Sequence, residues 1–168
     1  MHYLIIFQLM IIYLTCASEP FNLTDGFLSL PLNQSNLVIQ RPYDVPEDQR
    51  YSFIDGVHKL WVYSTDKPHS PTSKSHPRTE IRIHLHPFMG SCQIVCIMQV
   101  FGASPHATTL MLRVSNGTLS YYRDGVLKFE ATGRGGKSHY FKCGVYAQND
   151  ETNSMESRWK GIKVLKKI

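Results

Sequence analysis

The stretch HYFKCGVYAQ, residues 139–148, alternates between two kinds of side chain. The first set is polar or small and comprises Tyr140, Lys142, Gly144, Tyr146 and Gln148. The second set is apolar or small and comprises Phe141, Cys143, Val145 and Ala147. Successive side chains of a β-strand point to opposite faces of its sheet, so this stretch predicts a strand with one core face and one polar face.

The same alternation recurs in PRTEIRI, residues 77–83, where Arg78, Glu80 and Arg82 share one face. Further short extended runs are predicted at 37–40, 79–85, 93–101, 109–114, 119–123, 126–131, 139–147 and 157–165. Asp55-Gly56, between aromatic and β-branched residues, predicts a hairpin turn. No window shows a sustained helical stripe with caps. The pattern therefore predicts an all-β sandwich or barrel.

Length and charge narrow the class of protein. The chain has 168 residues, 42% of them apolar, which suits one globular domain. Its formal net charge of +5 favours anionic partners. No Lys/Arg run marks a nucleic-acid arm, so acidic polysaccharides or small carboxylates are the expected partners, and no nucleic acid is expected.

The N-terminus predicts a secreted protein. Residues 1–18 read as a signal peptide, residues 19–36 as an N-terminal loop segment and residues 37–168 as the folded domain. The expected destinations are the extracellular space, the cell wall, or the vacuole by way of the secretory pathway, with no membrane attachment after signal removal. Sequons at Asn22, Asn33 and Asn116 are predicted glycosylation sites on the surface.

The cysteines allow two arrangements. Loss of the signal leaves Cys92, Cys96 and Cys143, which can form one bridge with a free thiol, or no bridge. Cys92 and Cys96 lie too far apart along one extended strand to bond each other. Their spacing does not fit a zinc site, and we expect no metal and no cofactor.

Three ordered blocks carry a resemblance to a known family. Residues 78–82 (RTEIR), 99–101 (QVF) and 140–148 (YFKCGVYAQ) resemble the signature blocks of family 7 polysaccharide lyases, the alginate lyase 2 domain. The sequence outside these blocks, for example YDVPEDQRYSFIDGVHKLWVYSTDKPHSP at residues 43–71, is similar to plant citrate-binding proteins that carry this domain. The resemblance implies a β-jelly roll of two antiparallel sheets, with the polar strand faces lining a concave groove.

The resemblance also implies a chemistry. In the lyases, Arg and Gln neutralise a uronate carboxylate, His or Tyr removes the C5 proton, and Tyr protonates the leaving oxygen. Carried over by position, the catalytic residues of an active enzyme would be Tyr146 and Gln99. The implied ligand-binding set is Arg78, Glu80, Arg82, Gln99, Tyr140, Lys142, Tyr146 and Gln148. Gly144 would leave room for the ligand between them.

One departure from the lyase pattern favours binding over turnover. Phe101 stands where the lyase block has the general-base His, and an aromatic hydrocarbon cannot accept a proton. The histidines nearest to these blocks, none of which sits in a motif, are His84, His86, His106 and His139. We therefore expect a monomeric binding protein for an acidic ligand, with a polyuronate lyase using Tyr146 as the alternative.

A second departure concerns length. SYYR at 120–123 runs directly into DGVLKFE at 124–130, where relatives of this kind should carry a further strand pair. HLHPFMGSCQIVC at 84–96 likewise replaces a Gly/Tyr/Trp-rich stretch. The expected fold is a jelly roll that lacks some strands, and a truncated, non-functional isoform is the third interpretation.

Overall fold

The computed structural model describes residues 23–85, 93–101, 107–132, 140–148 and 153–167, so the predicted signal peptide lies outside it. The strands within these ranges are β1 (Phe27–Leu30), β2 (Leu37–Gln40), β3 (Tyr51–Ile54), β4 (Val57–Tyr63), β5 (Arg78–Ile83), β6 (Ile94–Phe101), β7 (Thr108–Ser115), β8 (Thr118–Arg123), β9 (Val126–Thr132), β10 (Phe141–Tyr146) and β11 (Ser154–Lys167). Short 3₁₀ turns occupy Gln34–Asn36 and Glu47–Gln49. In the described ranges, no helix has the length and apolar character needed to span a bilayer.

The strands form two antiparallel sheets. The large sheet has the order β3-β4-β11-β6-β7-β8-β9, and β1 pairs with the last residues of β11 beyond β4. The small sheet has the order β10-β5-β2. This arrangement confirms the predicted all-β jelly roll of two sheets.

Tight turns join several neighbouring strands, as their sequences predict. Asp55-Gly56, Asn116-Gly117 and Asp124-Gly125 each place two residues at positive φ, from 48° to 79°. Paired positive φ values are typical of two-residue hairpin turns. Asp124-Gly125 connects β8 directly to β9, so the chain forms a hairpin where a further strand pair was expected.

The core lies between the two sheets. The small sheet contributes Thr79, Ile81, Ile83, Phe141, Cys143 and Val145. The large sheet contributes Leu60, Val62, Cys96, Met98, Trp159 and Val164. Side chains alternate along a strand, and the buried residues of β5 and β10 point into the core. The residues between them, Arg78, Glu80, Arg82 and Lys142, therefore lie on the outer face of the small sheet.

Two of the cysteines lie in this core. Cys96 and Cys143 are both free and buried, so they do not bridge each other. Burial raises the pKa of the Cys143 thiol to about 12 and raises the pKa of Cys96 as well. Both thiols are therefore protonated core residues, while Cys92 lies outside the described residues.

One prediction is wrong at the N-terminus. The sequence predicts a loop for 19–36, yet Phe27–Leu30 forms β1 and pairs with residues 164–167 of β11. A four-residue strand has too little alternation to be recognised locally, and here its partner lies at the other end of the chain. β11 is also longer than predicted, and its irregularity between Lys160 and Lys163 contains Gly161 at φ 63°.

Candidate ligand-binding site

The candidate site is the outer surface of the small sheet, here called the polar face. Its members are Gln40, Arg78, Glu80, Arg82, Lys142 and Tyr146, with Tyr140 just before β10. The antiparallel register sets Arg78 opposite Tyr146 and Arg82 opposite Lys142. Gln40 and Gly144 lie on either side of Glu80. Register alone therefore brings together most of the polar residues predicted in the 78–82 and 140–148 blocks.

Glu80 lies at the centre of the polar face and is only 1% exposed. Lys142 Nζ donates a short charged hydrogen bond to Glu80 Oε1. The Tyr146 hydroxyl donates to Glu80 Oε2 at 2.9 Å. A buried carboxylate is tolerated when it is paired and hydrogen-bonded, and Glu80 meets both conditions. We call Glu80, Lys142 and Tyr146 the Glu80 network.

Gly144 has a structural role in this network. A Cβ at this position would lie 2.3 Å from the Thr79 carbonyl oxygen and 2.5 Å from Glu80 Cα. The space beside Gly144 is thus occupied by β5, and the prediction that it leaves room for a ligand is wrong. The missing Cβ instead permits close approach of the two strands.

Arg78 connects the polar face to the loop before β5. Its NH1 donates to the Tyr146 hydroxyl at 3.3 Å, and its NH2 donates to Ser75 Oγ at 2.9 Å. The same NH2 lies 3.0 Å from His69 Nδ1. Burial, and then the Arg78 charge, lower the pKa of His69, so a neutral ring accepts this hydrogen bond. Sequence reasoning missed His69 because it lies in a polar Pro/Ser loop.

Arg82 occupies the opposite end of the polar face. Its NH2 donates to Gln40 Oε1 at 3.1 Å, and Lys142 Nζ reaches the same oxygen at 3.4 Å. The Arg82 guanidinium carbon lies 4.9 Å from the centre of the Tyr140 ring, and this ring stacks on His84. Gln40 was also missed, because the sequence does not show that β2 pairs with β5.

Several guanidinium donors on and beside the polar face have no acceptor among the residues that the structure describes. The Nε atoms of Arg41, Arg78 and Arg82 are shielded from solvent and have no hydrogen-bond partner among the described residues. A shielded donor without an acceptor is costly, and most such donors in folded proteins are satisfied. The three arginines therefore carry guanidinium groups whose hydrogen-bonding capacity is not fully used by the described residues.

Gln99 is not part of the polar face. It lies in β6 of the large sheet, opposite Thr109 and Lys160. Its neighbour Met98 packs into the core, so Gln99 points to the other side of the large sheet. The core thus separates Gln99 from Arg78.

The remaining predicted residues are distributed as follows. Phe101 ends the same strand as Gln99, with its backbone opposite Arg158. Gln148 is exposed, two residues beyond β10. His86, His106 and His139 lie outside the described residues. Asn33 and Asn116 are exposed, as glycan acceptors require, and Asn22 lies outside the described residues.

Comparison with known proteins gives a relative with similar sequence. No family model matches the chain. The citrate-binding protein of Hevea brasiliensis is 40% identical over 195 residues, covering 90% of this chain and 81% of the relative. Those 195 aligned positions exceed the 168 residues present here, so the relative carries internal residues without a counterpart in this chain. The expected shortening is consistent with this difference.

Solved structures give the fold. Family 7 alginate lyase A1-II′ in complex with substrate has a TM-score of 0.59 at 14% identity, over 80% of this chain and 94% of the enzyme. The alginate lyase of Corynebacterium sp. has a TM-score of 0.56 at 13% identity, over 86% of this chain and 95% of the enzyme. Identities this low indicate a shared fold alone. The chain thus belongs to the citrate-binding protein family and has the jelly-roll fold of the family 7 alginate lyases.

Proposed function

We propose that this protein binds an acidic ligand, either a uronate-containing polysaccharide or a small carboxylate such as citrate, without turnover. The observation that carries the proposal is the concentration of Arg78, Arg82 and Lys142 around one internal carboxylate, with guanidinium donors left over. Arginine binds carboxylates through paired hydrogen bonds in a fixed geometry. The relative that is named for citrate binding and the lyase fold both support a binding or lyase-like function.

Three features favour binding over turnover. β-Elimination needs carboxylate neutralisation, proton removal and leaving-group protonation on one side of the substrate. Gln99 lies across the core from the polar face, and Phe101 stands at the position of the expected base. The Tyr146 proton is engaged with Glu80. These residues are therefore poorly arranged for elimination, while Arg78 and Arg82 remain suited to holding a carboxylate.

Calorimetry tests the proposal. We expect citrate or a polyuronate to bind the wild-type protein. Arg78→Ala and Arg82→Ala should each weaken binding about tenfold or more, the usual effect of losing a charged hydrogen bond. Absence of heat with every ligand, or undiminished affinity in both variants, would contradict the proposal.

An active polyuronate lyase is the second candidate. The observation in its favour is that Tyr146 retains contact with Arg78, at 3.3 Å, on a lyase fold. Polymannuronate, polyguluronate and polyglucuronate should each be incubated with the protein and followed by ultraviolet absorbance of the unsaturated product. No rise in absorbance with any polymer excludes this activity.

A secretory destination is part of the proposal. It is supported by the predicted signal at 1–18 and by the exposure of Asn33 and Asn116. Endoglycosidase treatment of protein expressed in plant cells should increase its gel mobility. An unchanged mobility, with the protein retained in the cytosol, would contradict secretion.

A truncated, non-functional product is the third interpretation. It is supported by the 195 positions aligned with the relative against the 168 residues present here. Chemical denaturation of the purified chain distinguishes a folded domain from an incomplete one. A single cooperative transition together with ligand binding would remove this interpretation.

A further inference from the structure

An open cleft of about 310 Å³ lies at the β2 edge of the small sheet, next to the Glu80 network. Gln40 and Arg82 come from the polar face, while Arg41 and Tyr43 come from the segment that follows β2. His69 belongs to the facing loop. The cleft therefore brings together a cationic end of the polar face and two segments to which the sequence motifs assign no role.

The walls of this cleft are held together by internal bonds. The Tyr43 amide donates to the Pro68 carbonyl at 3.1 Å. Lys67 Nζ lies 3.1 Å from Asp44 Oδ2 across the same two segments. Arg50 anchors the start of the loop by a two-point ion pair with Asp66, whose side chain is only 5% exposed. A preformed cleft binds without first ordering its walls, which favours affinity.

The charges around the cleft are unbalanced. Arg41 and Arg82 line it together with the neutral His69 ring, and no carboxylate lines it among the described residues. Nearby carboxylates already have partners: Asp44 pairs with Lys67, Asp66 with Arg50, and Glu80 with Lys142 and Tyr146. The positive charge of the cleft thus remains available to a ligand.

The donors lining the cleft are also incompletely used. The Nε atoms of Arg41 and Arg82 have no acceptor among the described residues, and because both are shielded from solvent, an anion in the cleft would bind through the terminal nitrogen atoms of the two guanidinium groups. Arg82 has a neutral acceptor in Gln40, and Arg41 NH1 reaches the neighbouring Pro42 carbonyl at 3.3 Å. Exposed parts of Val38 and Tyr43 add an apolar wall. Two guanidinium groups above an apolar surface suit a compact molecule with more than one carboxylate.

We propose that this cleft binds a small polycarboxylate, with Arg41 and Arg82 each holding a carboxylate of the same molecule. The proposal rests on the proposed function and narrows it. Small-molecule pockets usually measure about 300–1,000 Å³, so this cleft lies at the lower end and suits one small molecule better than several linked sugar units. In this proposal Arg41 binds the ligand, although it lies outside the three sequence blocks at 78–82, 99–101 and 140–148.

Titration calorimetry with citrate, acetate and an alginate trisaccharide tests the cleft. Citrate should bind the wild-type protein more tightly than either of the others. Arg41→Gln should weaken citrate binding about ten- to hundredfold, and Arg41→Lys, which keeps the charge but loses the fork, should weaken it less. Arg158→Gln is the matched control, because Arg158 is exposed on β11 and pairs with Glu156. It should bind citrate like the wild type, and the unfolding midpoint of each variant checks its fold.

Each outcome supports or overturns the assignment. Wild-type affinity in folded Arg41→Gln, with loss of affinity in Arg78→Ala, overturns the cleft but leaves the proposed function standing. Preference for the trisaccharide over citrate overturns the small-ligand assignment. If the wild-type protein binds none of the three, the proposed function itself fails. Loss of citrate binding in folded Arg41→Gln, with Arg158→Gln unaffected, supports the cleft.

Discussion

The Glu80 network and the adjoining cleft use similar side chains in opposite ways. In the network, the Glu80 carboxylate pairs with the Lys142 ammonium and accepts a hydrogen bond from the Tyr146 hydroxyl, so the charges are satisfied within the protein. In the cleft, Arg41 and Arg82 adjoin no carboxylate among the lining residues that the structure describes. An internal acid thus decides whether a cation stabilises the fold or remains free to bind a ligand.

The largest expected effect concerns the strand contact beneath the network. Gly144→Ala would place a Cβ within 2.6 Å of the Thr79 carbonyl, Glu80 Cα and Glu80 Cβ. β5 cannot shift to make room without displacing its own core residues. We therefore expect the free energy of unfolding to fall by roughly 3 kcal/mol, which is at the upper end of the range for overpacked cores. Urea denaturation followed by tryptophan fluorescence measures it.

Substitution of Gly125 is the control that measures the effect of replacing a glycine where no close strand contact exists. Gly125 lies in the β8–β9 turn at φ 79°, and apart from its chain neighbours no atom of the described residues lies within 4 Å of its Cβ position. Gly125→Asn should change stability by a few tenths of a kcal/mol, because Asn tolerates this conformation. Equal losses in the two variants would mean that the β5–β10 contact is not especially close.

The next effect concerns the charge of the network. Glu80→Gln keeps the shape but leaves Lys142 without a counter-charge, and it should cost about 2 kcal/mol because Lys142 is partly exposed. Chemical denaturation measures the loss. Citrate affinity should be retained, since the cleft is cationic without the help of Glu80.

An exposed pair of the same type is the matched control. Lys59 and Glu156 lie 3.0 Å apart with both side chains more than a third exposed. Glu156→Gln, which removes the exposed pairs with both Lys59 and Arg158, should cost less than about 1 kcal/mol. If Glu80→Gln proved as mild, the Glu80 network would not be a buried structural unit.

The smallest effect comes from a histidine that belongs to neither region. His58 is buried against Tyr51 and Phe53, and burial lowers its pKa below the ordinary value of 6.5. Below pH 6.5 the unfolded chain therefore binds more protons at this site than the folded chain does. Stability should be fully present above this pH and fall as the pH decreases below it, as thermal unfolding at several pH values would measure.

Substitution isolates the contribution of His58. His58→Gln should flatten the acid side of this profile. Part of the slope should persist, because His69 also has a lowered pKa and titrates in the same direction. An unchanged slope in His58→Gln would show that the acid sensitivity originates elsewhere.

The sequence predicts those features that alternation and turn chemistry specify. Strands β5 and β10 with their polar faces follow from period-two alternation, and the Asp55-Gly56 hairpin follows from its turn residues. Long-range pairing is not visible locally. Nothing in residues 37–40 indicates that β2 would bring Gln40 and Arg41 beside Arg82. The separation of Gln99 from the polar face likewise depends on β6 pairing with β7 and β11.

The most direct test follows the arginine side chains during a citrate titration. Two-dimensional ¹H–¹⁵N spectra resolve Nε–H groups. Arg113 is an internal control, because its Nε also has no partner among the described residues while it lies on β7 of the large sheet. We expect the Arg41 and Arg82 Nε–H resonances to shift with citrate while that of Arg113 stays fixed. Stationary Arg41 and Arg82 signals at saturating citrate, or equal shifts at all three arginines, would contradict it.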